Sequence, residues 1–315
     1  REVAGCTRAA SSVGRPRTAL GDVARCGLNA ETEHLRALAR RVVDVAVACV
    51  PLRAALLAGS AGRGNADRFS DVDLLFYVDQ VPLVDVLAQI RLAVGGVDPV
   101  RRHEPTDYFN GEEFTLDRVR TEVAFTTVDR VEWQLDQLLV ELQEIASPHQ
   151  KFLSGIAEGL PLYGEELIVE WQTRVGNYPE PLRRAMIERH WDFFPLWYYG
   201  EAMAARDSEL WRLDMLLNGA FNLLGVLAGL NRVYFARFEL KRMRELIAKM
   251  ELAPPSLADR LQSLFRLPPE EAASELGALV AETRQLVAGE FPDLNLPLLF
   301  PPGTRQQPWP LPDRR

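Results

Sequence analysis

The sequence predicts an α+β protein: a mixed sheet flanked by helices over residues 31–147, then an all-α helical bundle over 148–290. Three observations carry this. Residues 54–58 and 72–78 are apolar runs joined by a small-residue turn, Gly59-Ser60-Ala61-Gly62-Arg63-Gly64. In residues 119–126, Val119, Thr121, Val123 and Phe125 alternate with Arg120, Glu122, Ala124 and Thr126, the period of a half-buried strand. Beyond Pro148 the apolar residues follow helical spacing with few β-branched runs between them.

The 315 residues allow two domains and a sizeable core. A hydrophobic share of 47% and a charged share of 25% are ordinary for a soluble globular chain. The net charge of −8 argues against a broad nucleic-acid footprint, which shows as a basic domain. An acidic surface suits a small polycationic partner instead. Three cysteines (Cys6, Cys26, Cys49) form neither a zinc pattern nor a disulfide framework, so a reducing, cytoplasmic setting is expected. No stretch approaches eighteen consecutive apolar residues, so no membrane span is expected.

Residues 1–30 are rich in Ala, Arg, Gly and Ser, without period and without the apolar core of a signal peptide. They are expected to be a poorly ordered extension, or the start of a fragment. Residues 31–50 are a helix with Leu35, Leu38, Ala39, Val42, Val43, Ala46 and Val47 on one stripe; Pro51 ends it. Cys49, just off the stripe, is expected to pack. Residues 82–94 form a second helix, stopped by Gly95-Gly96. Residues 97–104 read as a short strand, and His103 beside Arg101 and Arg102 as a surface residue. Residues 114–128 are strand-rich. Asp129 is expected to cap the amphipathic helix that runs to Ile145.

The second half predicts helices over 150–158, 165–174, 181–206, 209–230, 239–251, 256–265 and 269–288, with Pro195 kinking or splitting the third. Residues 291–315 are a proline-rich tail, extended on the surface (Pro292, Pro297, Pro301, Pro302, Pro308, Pro310, Pro312).

The chemistry concentrates between Gly59 and Asp73. Asp71 and Asp73 stand two positions apart at the mouth of a strand. That spacing puts both carboxylates on one face, about 6.5 to 7 Å apart along the chain. Their repulsion calls for a proton or a cation, and oxygen-only ligation suits Mg²⁺ beside substrate phosphates. The Gly59-Ser60 turn lets the backbone approach a phosphate and aim amide N–H groups at it. Glu122 sits on the polar side of an otherwise apolar strand, where a charge needs a partner or a metal.

Together, Gly59-Ser60, Arg63-Gly64 and Ser70-Asp71-Val72-Asp73-Leu74 resemble the signature of the DNA polymerase β-like nucleotidyltransferase superfamily, most of all its minimal and antibiotic (aminoglycoside and lincosamide) members. The motif covers about twenty residues, and the resemblance extends over roughly the first half of the chain. It implies a polymerase β-like nucleotidyltransferase domain and nucleotidyl transfer assisted by two Mg²⁺ ions. Asp71, Asp73 and Glu122 are then the metal-binding, catalytic carboxylates, with Glu122 as the third acid expected on a later strand. Gly59, Ser60, Arg63 and Ser70 belong to the nucleotide-binding set, Gly59 and Ser60 at the β and γ phosphates. Asn231-Arg232-Val233-Tyr234 followed by Lys241 resembles a segment of the antibiotic enzymes, which implies that Lys241 reaches the triphosphate. Arg242 and Arg244 read as plain solvated charges.

Other features of the helical half have two readings each. Asp214, Asn218 and Asn222 form a polar stripe that either lines a cleft or bonds between helices. The aromatic cluster Trp191, Phe193, Phe194, Trp197, Tyr198 and Tyr199 either stacks on a base or fills the core. Glu188, His190 and Asp192 are candidate general bases. The expected activity is transfer of a nucleoside monophosphate, AMP from ATP, to a hydroxyl of a small-molecule acceptor. The alternatives are an antitoxin-type enzyme that modifies a protein partner, or a non-catalytic nucleotide-binding regulator.

Overall fold

The computed structural model describes residues 28–143, 145, 149–196, 198–203 and 205–297. The expectations for residues 1–27 (including Cys6 and Cys26), for Pro148 as a domain border, for Trp197 and for the tail from residue 298 fall outside the described residues; the start of that tail, 291–297, expected on the surface, instead packs on the helices with Phe291 and Leu296 buried. Within them the chain is α+β, with a six-stranded mixed sheet flanked by helices.

The sheet order is β3-β4-β5-β2-β1-β6. β1 (Leu52–Leu57) and β2 (Val72–Val78) are the two apolar runs, and they pair antiparallel. β5 (Val119–Thr127) lies parallel to β2 and antiparallel to β4 (Phe109–Leu116). β3 (Val97–Val100) forms one edge and β6 (Leu160–Tyr163) the other. The strand-rich region is thus a β4–β5 hairpin that begins five residues earlier than expected. β6 lies beyond the expected border at 147, in a stretch read only as a gap between helices. Four residues give too short a pattern to register as a strand; pairing with β1 makes it one.

Alternation in β2 sorts the two faces. Val72, Leu74, Phe76 and Val78 pack with α1 (Ala30–Cys49) and α3 (Val84–Val94) in one core. Tyr77, with Ala54 and Leu56 of β1, belongs to a second core shared with the helices of the second half. α1 keeps the predicted stripe buried from Leu35 to Ala46, while Val47, expected on it, is exposed near the helix end; Asn29 caps the helix, its side chain accepting from Thr32 N at 2.8 Å. Cys49, expected to pack, is exposed at its end.

Two local expectations are corrected here. The Gly59–Gly64 turn is a single helical turn, α2 (Gly59–Arg63), closed by Gly64. The cap of α4 (Val128–Leu139) is Thr127, which accepts from Arg130 N at 3.2 Å. Asp129 lies inside the first turn, where its charge suits the helix dipole.

The second half contains α5 (His149–Glu158), α6 (Glu165–Gly176), α7 (Glu180–His190), α8 (Glu209–Leu230), α9 (Met243–Ala248), α10 (Leu257–Leu264) and α11 (Pro269–Glu290). The helix expected over 181–206 is split: α7 stops at His190, and a π-helical turn, Tyr198–Ala202, follows Pro195. The helix expected over 239–251 is a 3₁₀ turn, Arg237–Arg242, followed by α9. α8 is long and apolar enough by length and composition to cross a membrane, although it has no unbroken apolar run. Some 61% of its most apolar stretch is buried in the protein, the pattern of a core helix.

Candidate active site

A cleft of about 580 Å³ opens between the sheet and the helical half. The residues singled out for metal and nucleotide binding all line it: Gly59, Ser60, Arg63, Ser70, Asp71, Asp73, Glu122 and Lys241. The topology explains the convergence. β2 and β5 are parallel neighbours with Asp73 directly opposite Glu122, so the two carboxylates share one face. Ala58 N donates to Asp73 O at 2.9 Å, which holds the start of α2 against β2.

Gly59 touches that carboxylate. Its φ is +64°, and a Cβ there would stand 2.3 Å from Asp73 Oδ2. Glycine answers both the left-handed backbone and the missing space.

The acidic row extends one strand further. Glu113 of β4 is directly opposite Glu122, giving Asp73, Glu122 and Glu113 in line across three strands. The three are not equivalent. Glu113 is buried and pairs with Arg102 and Arg120, and the Arg102 hydrogen bond, with Arg120 beside it, holds its carboxyl below the usual range. Asp73 moves the other way. Burial, then the neighbouring Asp71 and Glu122, push its pKa up to about 6, against a smaller pull from Lys151 and Arg120.

Arg120 stands 3.8 Å from Asp71 and 3.9 Å from Glu122. The expected alternative for Glu122, an ion pair with Arg120, therefore exists at long range and does not take Glu122 out of the cleft. Among the described residues, no three His, Cys, Asp or Glu side chains are arranged to hold a metal ion. The donor chemistry nevertheless fits a hard divalent cation. Asp71, Asp73 and Glu122 are oxygen donors on one wall; burial first, and the charges of Asp71 and Glu122 second, raise the pKa of Asp73.

Ser70 has a different occupation from the one expected. Its hydroxyl donates to Asp67 Oδ1 at 3.1 Å and accepts from Asp67 N at 2.9 Å, closing a turn. Arg63 lies 3.8 Å from Glu158 of α5.

Apart from Lys241, sequence reasoning missed the helical contribution. Lys151 and Ser154 of α5, Phe238 of the 3₁₀ turn, and Asp67 and Phe69 before β2 also line the cleft. Lys151 is hidden from the sequence because helix periodicity says which face is apolar, not which strand it will meet. Arg242, read as a plain solvated charge, lines the cleft and pairs with Asp67 at 2.9 Å. Arg244 remains at the surface, paired with Asp259.

The other candidates lie apart from the cleft lining. Asn222 is 3.2 Å from His190 Nδ1 and donates to Asp192 O, while Asn218 bonds to Asp214, so that stripe is an interhelical and intrahelical ladder. Trp191, Phe193 and Tyr199 are core residues. Phe194 and Tyr198 pack edge-on against Trp211. Glu188, His190 and Asp192 are not among the lining residues, and His103 packs edge-on against Phe109.

No protein-family model matches the chain, and no curated protein matches it. Solved structures that match include the crystal structure of a nucleotidyltransferase-like protein from Exiguobacterium sibiricum 255-15. It is 12% identical, and the match covers 80% of this chain and 74% of that one, with a TM-score of 0.37. A superposition that loose carries no argument about this chain, so the functional reading rests on the cleft itself.

Proposed function

We propose that the protein transfers a nucleoside monophosphate, AMP from ATP, to a hydroxyl of a small-molecule acceptor and releases pyrophosphate. One observation supports this above the others. A single cleft has a carboxylate wall (Asp71, Asp73, Glu122) and a cationic contribution from the helical half (Lys151, Lys241, Arg242). That pairing complements a magnesium-bound triphosphate, which carries both signs of charge.

The acceptor hydroxyl attacks the α-phosphorus through its oxygen and releases its proton to solvent water. The bond from that phosphorus to the bridging oxygen breaks, and pyrophosphate leaves with the electron pair. Lys151 and Lys241 act as point charges along the polyphosphate. Ser60 offers a hydroxyl, and Gly59 keeps the chain close enough for backbone contact. Asp71, Asp73 and Glu122 would hold Mg²⁺, which when bound neutralises phosphate charge and lowers the pKa of the attacking hydroxyl. Asp67 and Ser70 hold the turn that delivers Asp71 to the cleft.

Label transfer tests the reading. The protein is incubated with Mg²⁺ and each α-labelled nucleoside triphosphate, with an aminoglycoside panel in one arm and a cell lysate in the other. Label on a small molecule, lost in Asp71→Ala with the fold intact, is the expected result. Label on a protein band would replace the acceptor with a protein partner. Full transfer by Asp71→Ala would remove the carboxylate assignment. Triphosphate binding without transfer in any arm would favour a nucleotide-binding regulator.

A further inference from the structure

Two exposed aromatic side chains in the cleft have no part in the chemistry above. Phe69 is 98% exposed and Phe238 is 51% exposed, and both line the cleft. A single exposed apolar side chain is ordinary. Three further observations set this pair apart.

The backbone under Phe69 is held in place. Asp67 Oδ1 accepts from Phe69 N at 2.9 Å, and Ser70 N donates to Asp67 O at 3.0 Å. The same Asp67 reaches across to Arg242 at 2.9 Å. Arg242 in turn bonds Glu245 at 3.0 Å, and Glu245 also accepts from Asn65. The turn carrying Phe69 is therefore tied to the segment carrying Phe238 and Lys241. Finally, Lys151 Nζ lies 4.5 Å and Lys241 Nζ 5.6 Å from the centroid of the Phe238 ring. The aromatic surface thus adjoins the cationic one.

A nucleoside triphosphate makes the same two demands side by side: cations for the polyphosphate and a π surface for the base. We propose that Phe69 and Phe238 form the base-binding subsite of the cleft, stacking on the heterocycle of the nucleoside triphosphate. This rests on the nucleotidyl-transfer reading and extends it to the base. Stacking recognises the π face that every base has, so the subsite tolerates purines and pyrimidines alike.

The test is calorimetric titration of the full chain in Mg²⁺ with ATP, with CTP and with inorganic tripolyphosphate, without acceptor. Wild type is expected to bind ATP about 5- to 150-fold more tightly than tripolyphosphate, the range for loss of one stacked base. Phe69→Ala is expected to bring ATP close to the tripolyphosphate affinity while leaving tripolyphosphate binding and the melting temperature unchanged; Phe69→Tyr should retain the ATP preference. Phe238→Ala should act in the same direction. Equal affinities for ATP and tripolyphosphate in wild type, or an undiminished ATP preference in Phe69→Ala, would overturn the subsite and leave triphosphate binding standing. Binding of neither ATP nor tripolyphosphate would overturn the nucleotidyl-transfer reading, and the subsite with it.

Discussion

Gly59 and Asp73 are in contact across the first turn of the cleft: the Cα of one lies where any Cβ would reach to 2.3 Å from the carboxylate oxygen of the other. The helical turn after β1 and the acidic end of β2 therefore form one unit. Substitution of Gly59 by Ala adds the cost of a left-handed backbone, about 1 kcal/mol, and displaces the Asp73 carboxylate. Gly59→Ala is expected to melt a few degrees lower and to lose nucleotidyl transfer. Wild-type melting with full transfer would show that the contact does not matter.

Asp73 should make the metal-free protein less stable as pH rises. Its folded pKa of about 6 lies above the ordinary 3.8, so the folded state holds the proton more tightly than the unfolded chain. Stability is then lost as pH rises from about 4 to about 6 and is level above that. Asp73→Asn should gain on the order of 1–3 kcal/mol at pH 7, with EDTA present, and should flatten that slope. Denaturant melts across pH 4–8 check it; parallel slopes in the two proteins would contradict the assignment.

Glu113, in the same row, should behave oppositely. Its lowered pKa contributes stability above the ordinary range near 4.5, and that contribution disappears as pH falls through the depressed value. Both guanidiniums that pair with it are more than half exposed, so solvent limits the effect to about 1 kcal/mol at pH 7. Glu113→Gln should show that loss at pH 7 and little difference at pH 3. A difference that grows as pH falls would reverse the sign.

Gly225 of α8 faces the imidazole of buried His190, and a Cβ would fall 2.3 to 2.6 Å from its ring atoms. Alanine in a helix interior normally gains about 1 kcal/mol over glycine. Here the clash outweighs that gain, so Gly225→Ala should destabilise by about 1–3 kcal/mol. In a His190→Ala background the same change should be neutral or stabilising. Equal costs in both backgrounds would place the strain elsewhere.

Magnesium should stabilise the wild-type protein above pH 6, where Asp73 is ionised, and should stabilise Asp73→Asn less. The melting temperature with and without Mg²⁺ at pH 5 and pH 8 reads this directly. A shift that is the same in both proteins would mean that the ion binds without Asp73.

Much of the site is legible in the amino-acid sequence. Gly59, Ser60, Asp71 and Asp73 lie within fifteen residues, so local geometry alone brings them near one another. Glu122 is legible for another reason: a carboxylate in an apolar alternation is costly and asks for an explanation. Less legible are short elements that exist only because of a neighbour. β6 has four residues and is a strand because β1 offers its edge. The 3₁₀ turn Arg237–Arg242 replaces part of an expected helix, and its Arg242 turns toward Asp67, some 175 residues away in the chain.

The sequence by itself determined the α+β class, the order of most elements and the acidic end of β2, because these depend on periodicity and on residues close together in the chain. The tertiary structure decided which side chains share the cleft. The register of β5 on β2 sets Glu122 against Asp73, and packing of the second half on the Tyr77 face of the sheet brings Lys151, Phe238 and Arg242 to it. A strand's alternation says which face a residue takes, but which strand it pairs with and where a helix docks depend on contacts between distant segments.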